Sequence, residues 1–309
     1  MARRCDNRRH TRNSWPNFSD DDTFEIVSLL YDNHMVIGGL SILIFGIQTW
    51  IYLKNWQYCP RLKRRVLNIF QNDEKNVTKA ELEIKEKEIW INELNIVSPY
   101  HPFYTFIRNI FDGIISANKE DYPEIIRNWQ IIILNDDKFS AGIKESGLII
   151  YGTTLLKDLN AEKTAFIIAH EMGHLICKHH KIHASEMLFF WFNLTMVQFI
   201  VAICVPDGFV ALLTNLSLYY TFEFGFNLPN QRRSEYEADA IGFELSRKAG
   251  YDWKKVLKHV NDFPENIFAD FSSHPCRLNR VEKLESLAQL NLIKCESGSM
   301  IQNSLLHKT

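Results

Sequence analysis

The chain of 309 residues has no Cys-x-x-Cys pair, and its six cysteines, Cys5, Cys59, Cys177, Cys204, Cys276 and Cys295, keep no regular spacing. That excludes a disulfide framework and a cysteine-built zinc site. Neither charge is in excess: the formal net charge is −2. Nothing in the bulk electrostatics therefore calls for nucleic acid as a partner. There is no internal repeat or low-complexity tract. A secretory signal is also lacking, because the first apolar run begins too late. The most informative lack is local. From Asn33 to Leu53 no residue is formally charged.

At 1.5 Å per helical residue, that charge-free run is long enough to cross a bilayer core of ~30 Å. Gly38, Gly39 and Gly46 lie within it, and glycine is commoner in membrane helices than in soluble ones. Trp50, Tyr52 and Trp56 suit an interfacial belt. The rest of the chain is ordinary in composition, with 46% hydrophobic and 23% charged residues, enough for a sizeable core.

The expected plan follows from these shifts in composition. Residues 1–32 form a tail that is Arg-rich (Arg3, Arg4, Arg8, Arg9, Arg12) and then acidic (Asp20, Asp21, Asp22); its start reads either as a mitochondrial presequence or as a disordered basic tail. A transmembrane helix covers 33–53. A basic and amphipathic linker covers 54–98, with Arg61, Lys63, Arg64 and Arg65 first and a charged helix over 77–95 after. The basic side of the run belongs on the inner face of the membrane, although the N-terminal arginines pull the other way. A globular domain covers 99–291 and a tail 292–309.

Within the globular domain, 102–117 reads as helix, and 129–134 and 147–152 read as buried strands. The strand around Leu148–Tyr151 is either a sheet edge that an extended peptide can join, or an internal strand. A long helix is expected from Asn160, its N-cap, to about Ser185.

That helix carries His170-Glu171-Met172-Gly173-His174. Residues four apart share a helix face, so both imidazoles can reach one metal ion, with Glu171 beside the first. Zinc lowers the pKa of a bound water to roughly 7, and a neighbouring carboxylate can take that proton and pass it to a leaving amine. Catalytic zinc usually has three protein ligands. His180 is one candidate for the third, but the spacing that uses such a histidine needs glycine where this chain has Cys177. A straight helix would instead leave His179, His180 and His183 facing solvent. The other candidate lies in SEYEADAIGFEL (234–245), where Glu235 and Asp239 share a face. Glu235 would bind the ion, and Asp239 would accept the outer N–H of a ligand histidine. Glu237 points elsewhere and is read as ordinary.

These motifs resemble those of the membrane-associated gluzincin peptidases: bacterial HtpX, the CAAX prenyl endopeptidases and the mitochondrial Oma-type protease. The resembling pieces are HEMGH (170–174), RRSEYEADAIG (232–242), HPCRLNR (274–280) and FSAGIKESGLIIYGTTLL (139–156), where Ser140 stands in place of the usual asparagine. The resemblance covers about residues 100–290. It implies an α+β, mainly helical metallopeptidase domain with a small β-sheet beside the zinc helix. It also implies one Zn2+ held by His170, His174 and Glu235, with Asp239 supporting a ligand and Glu171 and His274 catalytic. His274 would stabilise the tetrahedral oxyanion. Arg280 matches a basic position of the motif, for which a salt bridge is the simpler reading.

A single N-terminal anchor fits the Oma type best and implies a mitochondrial inner membrane endopeptidase. Its partners would be protein substrates, chiefly membrane proteins, and the lipid bilayer; a homo-oligomer is allowed. The alternatives are a prenyl-protein endopeptidase and a non-catalytic zinc-binding scaffold.

One more region needs a place. Residues 187–206 and 209–222 carry no charge apart from Asp207 between them. His170 and Glu235 must meet at one ion, so the chain between them crosses a membrane an even number of times. A helical hairpin over 187–226 that dips into or lies against the bilayer is expected, turning at Pro206-Asp207-Gly208.

Overall fold

The computed structural model describes residues 34–70, 96–126, 129–136, 141–144, 148–153, 160–204, 207–261 and 275–290. The two terminal tails, the charged helix expected over 77–95 and His274 lie outside the described residues.

The charge-free run forms helix α1 (His34–Asn55). Val36, Ile42, Phe45, Trp50 and Leu53 stand exposed on it. An antiparallel pair follows, β1 (Trp56–Cys59) and β2 (Arg64–Leu67), within what the sequence reads as a linker. Helix α2 (Pro102–Asn118) begins with His101 as N-cap and proline in its first turn, both favourable at a helix start.

The small sheet has three strands, β3 (Gln130–Leu134), β4 (Ala141–Ile143) and β5 (Leu148–Gly152), in the order β3-β5-β4. β3 is parallel to β5 and β4 antiparallel to it. Strand β5 is therefore internal, and its five residues are all buried. Of the two readings of Leu148–Tyr151, the internal one holds. The outer strand on the side of the metal-bearing helix is Ala141–Ile143. Alternation sorts the side chains. Ile131, Ile133, Ile149 and Tyr151 join the main core with α2, whereas Ile132, Leu134, Leu148 and Ile150 form a separate cluster on the other face.

Helix α3 (Ala161–Ile176) runs through the centre, with Asn160 Oδ1 accepting from Lys163 N at 3.0 Å as its N-cap. Ala165–Ala169 are buried all round, which explains the unbroken apolar stretch before the histidines. The helix does not continue to Ser185. It stops at Cys177, because Lys178 takes a left-handed conformation with φ of 56° and its N–H turns back to Leu175 O at 3.0 Å. A new helix, α4 (His179–Cys204), starts at once. Lysine here takes the place usually held by glycine, and the expectation of a straight helix fails on that one residue.

After α4 the chain returns as α5 (Gly208–Phe222), capped by Asp207. A π-turn, Glu223–Asn227, joins α5 without a break to α6 (Leu228–Lys248). The second leg of the apolar hairpin thus runs on into the helix that carries Glu235, and the first leg starts just past the Lys178 bend that ends the histidine helix. Helix α7 (Trp253–Asn261) and helix α8 (277–290) complete the described chain. They pack against Phe166 of α3 and Phe243 of α6 through Val256, Val260, Leu284 and Ala288.

Candidate metal centre

The centre is built where α3 crosses α6. Two glycines set the distance between them. A Cβ on Gly173 would lie 2.8 Å from Ala238 O, and one on Gly242 would lie 2.7 Å from His170 N. Backbone therefore meets backbone. Any larger residue at either position would force the helices apart. This close approach brings Glu235 and Asp239, one turn apart on α6, over the histidine face of α3.

The three expected ligands converge. His170 Nε2 is 3.1 Å from His174 Nε2 and 3.5 Å from Glu235 Oε2, and His174 Nε2 is 3.4 Å from Glu235 Oε1. A tetrahedral zinc with bonds near 2.0–2.1 Å has ligand–ligand edges of about 3.3 Å. The observed triangle has that size, so these side chains fit a first-row divalent cation. Their side chains are 11%, 24% and 12% exposed, which leaves the centre sheltered but reachable. Glu171, next to His170 on α3, is half-buried.

Each imidazole also has its outer nitrogen occupied, which leaves Nε2 to face the centre. His170 Nδ1–H donates to Asp239 Oδ1 at 2.9 Å. Asp239 is in turn held by Arg280 of α8, Nε to Oδ2 at 2.7 Å and Nη2 to Oδ1 at 2.6 Å. Arg280 thus makes the expected salt bridge, in bidentate form. Burial works against the His170 cation, but hydrogen bonds to Asp239 and Glu235 and the charges of Asp239 and Glu171 raise its pKa to about 10. Burial likewise disfavours the Asp239 carboxylate, yet His170 and Arg280 hold its pKa below the usual range.

The second imidazole is held by residues the sequence reading set aside. His174 Nδ1 is 3.0 Å from His179 Nδ1, and His179 Nε2 is 3.0 Å from Glu237 Oε2. Arg64 of β2 binds Glu237 through Nε at 2.7 Å and Nη2 at 3.1 Å. His179 is buried at 4% exposure, not solvent-facing, and Glu237 is not idle. Of the other histidines, His180 is exposed and His183 half-buried. Five residues along a straight helix would put His179 well off the face of His174. Only the Lys178 bend brings it back, and nothing in the sequence pattern announces a left-handed lysine.

Comparison with known proteins then decides the family. The pattern of peptidase family M48 matches residues 108–288. The chain belongs to peptidase family M48. Among similar proteins, the bovine mitochondrial metalloendopeptidase OMA1 is 28% identical over 215 residues, 65% of this chain and 41% of the relative. The human protein of that name is 27% identical over the same shares. The Schizosaccharomyces pombe mitochondrial metalloendopeptidase OMA1 is 24% identical over 255 residues, 80% of this chain and 71% of the relative. The matched stretch spans about two-fifths of the length of the mammalian relatives. The M48 match takes in every described residue of the centre except Arg64.

Proposed function

We propose that this M48 chain is a membrane-anchored zinc endopeptidase of mitochondria that cuts membrane proteins. The convergence of His170, His174 and Glu235, with all their ligand atoms within 4.8 Å of one another, carries the reading. The donor set of two imidazoles and one carboxylate is the one used by thermolysin-like catalytic zinc sites. When bound, the metal supplies Lewis acidity and brings a water's pKa to roughly 7. His170, His174 and Glu235 hold the ion. Asp239 fixes the ring orientation and tautomer of His170, and Arg280 fixes Asp239. Glu171 takes the proton of the attacking water and returns it to the leaving amine as the peptide bond breaks. By its resemblance to the family motif, His274 donates to the oxyanion of the tetrahedral intermediate.

The membrane part of the reading draws on exposed apolar surface. Helix α4 is long and apolar enough over His179–Val201 to cross a bilayer, and only 17% of its apolar 18-residue window is buried. Trp191, Phe199, Phe209 and Leu212 stand exposed on the hairpin. The end of α1 meets its base, where the Tyr52 and Phe189 rings lie 4.7 Å apart. On this reading both apolar units contact one bilayer, the centre lies near the root of the hairpin, and substrates are cut close to their own membrane spans. The mitochondrial placement draws on the names of the relatives and on the Arg-rich start; the inner membrane is proposed from the single N-terminal apolar helix and the resemblance to the Oma type.

The test compares the parent with Glu171→Gln in detergent. Both proteins are expected to hold about one zinc per chain by elemental analysis, with peptide cleavage lost only in the variant. Equal cleavage by the two would refute the reading.

A further inference from the structure

The two ligand imidazoles are supported unequally, and the difference points to a function for the strand pair that follows the anchor helix. His170 has a carboxylate directly on its outer nitrogen. His174 has none; its outer nitrogen meets the buried His179 instead. We propose that His179, Glu237 and Arg64 form a second positioning chain that holds His174 for the metal, and that through Arg64 the β1–β2 pair becomes part of the centre's support. The inference rests on the metallopeptidase reading above.

The hydrogen-bond bookkeeping runs in one direction. With Nε2 turned to the metal, His174 carries its proton on Nδ1 and donates to His179 Nδ1. His179 then carries its own proton on Nε2 and donates to Glu237 Oε2, 3.0 Å away. Glu237 accepts that bond and two more from Arg64. Every donor in this chain of contacts finds an acceptor, and the chain ends on a bidentate Arg–carboxylate pair. The Glu237 carboxylate meets Arg64 through both of its oxygens and His179 through Oε2. It polarises His179, and His179 passes a weaker form of that pull to His174, much as Asp239 acts on His170 directly.

Three more contacts show that the strand pair is built into this corner. Arg61, in the turn between β1 and β2, donates to Ile176 O at 3.3 Å, the last residue of the metal helix. The same Arg61 forms an ion pair with Glu124. Just past β2, Ile69 N donates to Ser185 Oγ at 3.1 Å. The pair thus clasps α3 and α4 on either side of the Lys178 bend, and that bend alone brings His179 to His174. Since β1 begins directly where α1 ends, displacement of the anchor helix would be felt at His174 through three side chains, Arg64, Glu237 and His179.

The test uses the full chain in detergent, loaded with zinc or, for spectroscopy, with cobalt(II). His179→Phe fills the buried volume but cannot accept from His174. His179→Gln is smaller, yet its amide can both accept and donate. The positioning chain requires that the chelator concentration removing half the metal fall ~10–100-fold in His179→Phe. It should recover largely in His179→Gln, with the cobalt absorption bands shifted in the former and near the parent in the latter. A pure packing function reverses that order, because phenylalanine packs better than glutamine, and such a reversal would overturn the inference. So would an unchanged chelator midpoint and spectrum in His179→Phe. Arg64→Gln should shift the midpoint in the same direction by a smaller factor; no shift there would remove the strand pair from the proposal. A parent without metal would sink the peptidase reading and this one together, whereas a metal-loaded parent indifferent to His179 sinks this one alone.

Discussion

Asp239 and Glu235 are the same kind of residue one helical turn apart, and their surroundings give them different work. Glu235 faces the two Nε2 atoms, whereas Asp239 is enclosed between His170 and Arg280. Glu235→Ala should therefore abolish stoichiometric metal, read by elemental analysis after dialysis; an unchanged zinc content would hand the third position to another group. Asp239→Asn keeps the size but weakens the acceptor and half of the Arg280 pair. It should weaken metal retention by ~10–100-fold against a chelator. Glu237 gives a pH dependence with a defined sign. Folding lowers its pKa from an ordinary 4.5, so the folded state binds fewer protons there. Its stabilisation is complete above that ordinary value and disappears as pH falls through the lowered one. Glu237→Gln should accordingly unfold with a shallower dependence on pH in this acid window, followed by circular dichroism. At this scale the pairing of His170 with His174 is legible in the sequence because their spacing is a local fact, and the structure brings both to Glu235. The sequence places Glu235 and Asp239 because a second helix offers both on one face. It conceals His179 and Glu237 because their partnership depends on a single backbone angle.

At the scale of elements, the α3–α6 crossing and the Lys178 bend do most of the positioning. Gly242→Ala puts a methyl 2.7–2.8 Å from the His170 backbone, where no flexible side chain can yield. It should destabilise the fold by ~1–3 kcal/mol and loosen the metal, measured by denaturant unfolding and chelator titration of the same sample. Lys178→Gly tests the bend from the other side. A left-handed non-glycine residue costs about 1 kcal/mol, so glycine should raise the unfolding midpoint while leaving cleavage intact. The helices and strands themselves were readable from apolar periodicity and cap residues: Asn160 does cap α3, and QIIIL and LIIYG do form buried strands. Their neighbours were not readable. That β4 returns to cover β5, making an internal strand of it, follows from tertiary packing. The β1–β2 pair is only four residues a side, too short for alternation to stand out against a basic linker.

At the scale of the whole molecule, the apolar surface is divided between α1 and the α4–α5 hairpin, which touch at Tyr52 and Phe189. If both contact the bilayer, removing residues 1–53 should leave the chain on membranes. Further replacement of Trp191, Phe199, Phe209 and Leu212 by serine should release it, as judged by carbonate extraction. Release by the first deletion alone would confine the attachment to α1. The hairpin also has a bearing on timing. A ribosome delivers His170 and His174, then the whole greasy insertion, and only afterwards Glu235. Two imidazoles without their carboxylate grip an ion poorly. The three donor groups can therefore meet only after the whole insertion has left the ribosome.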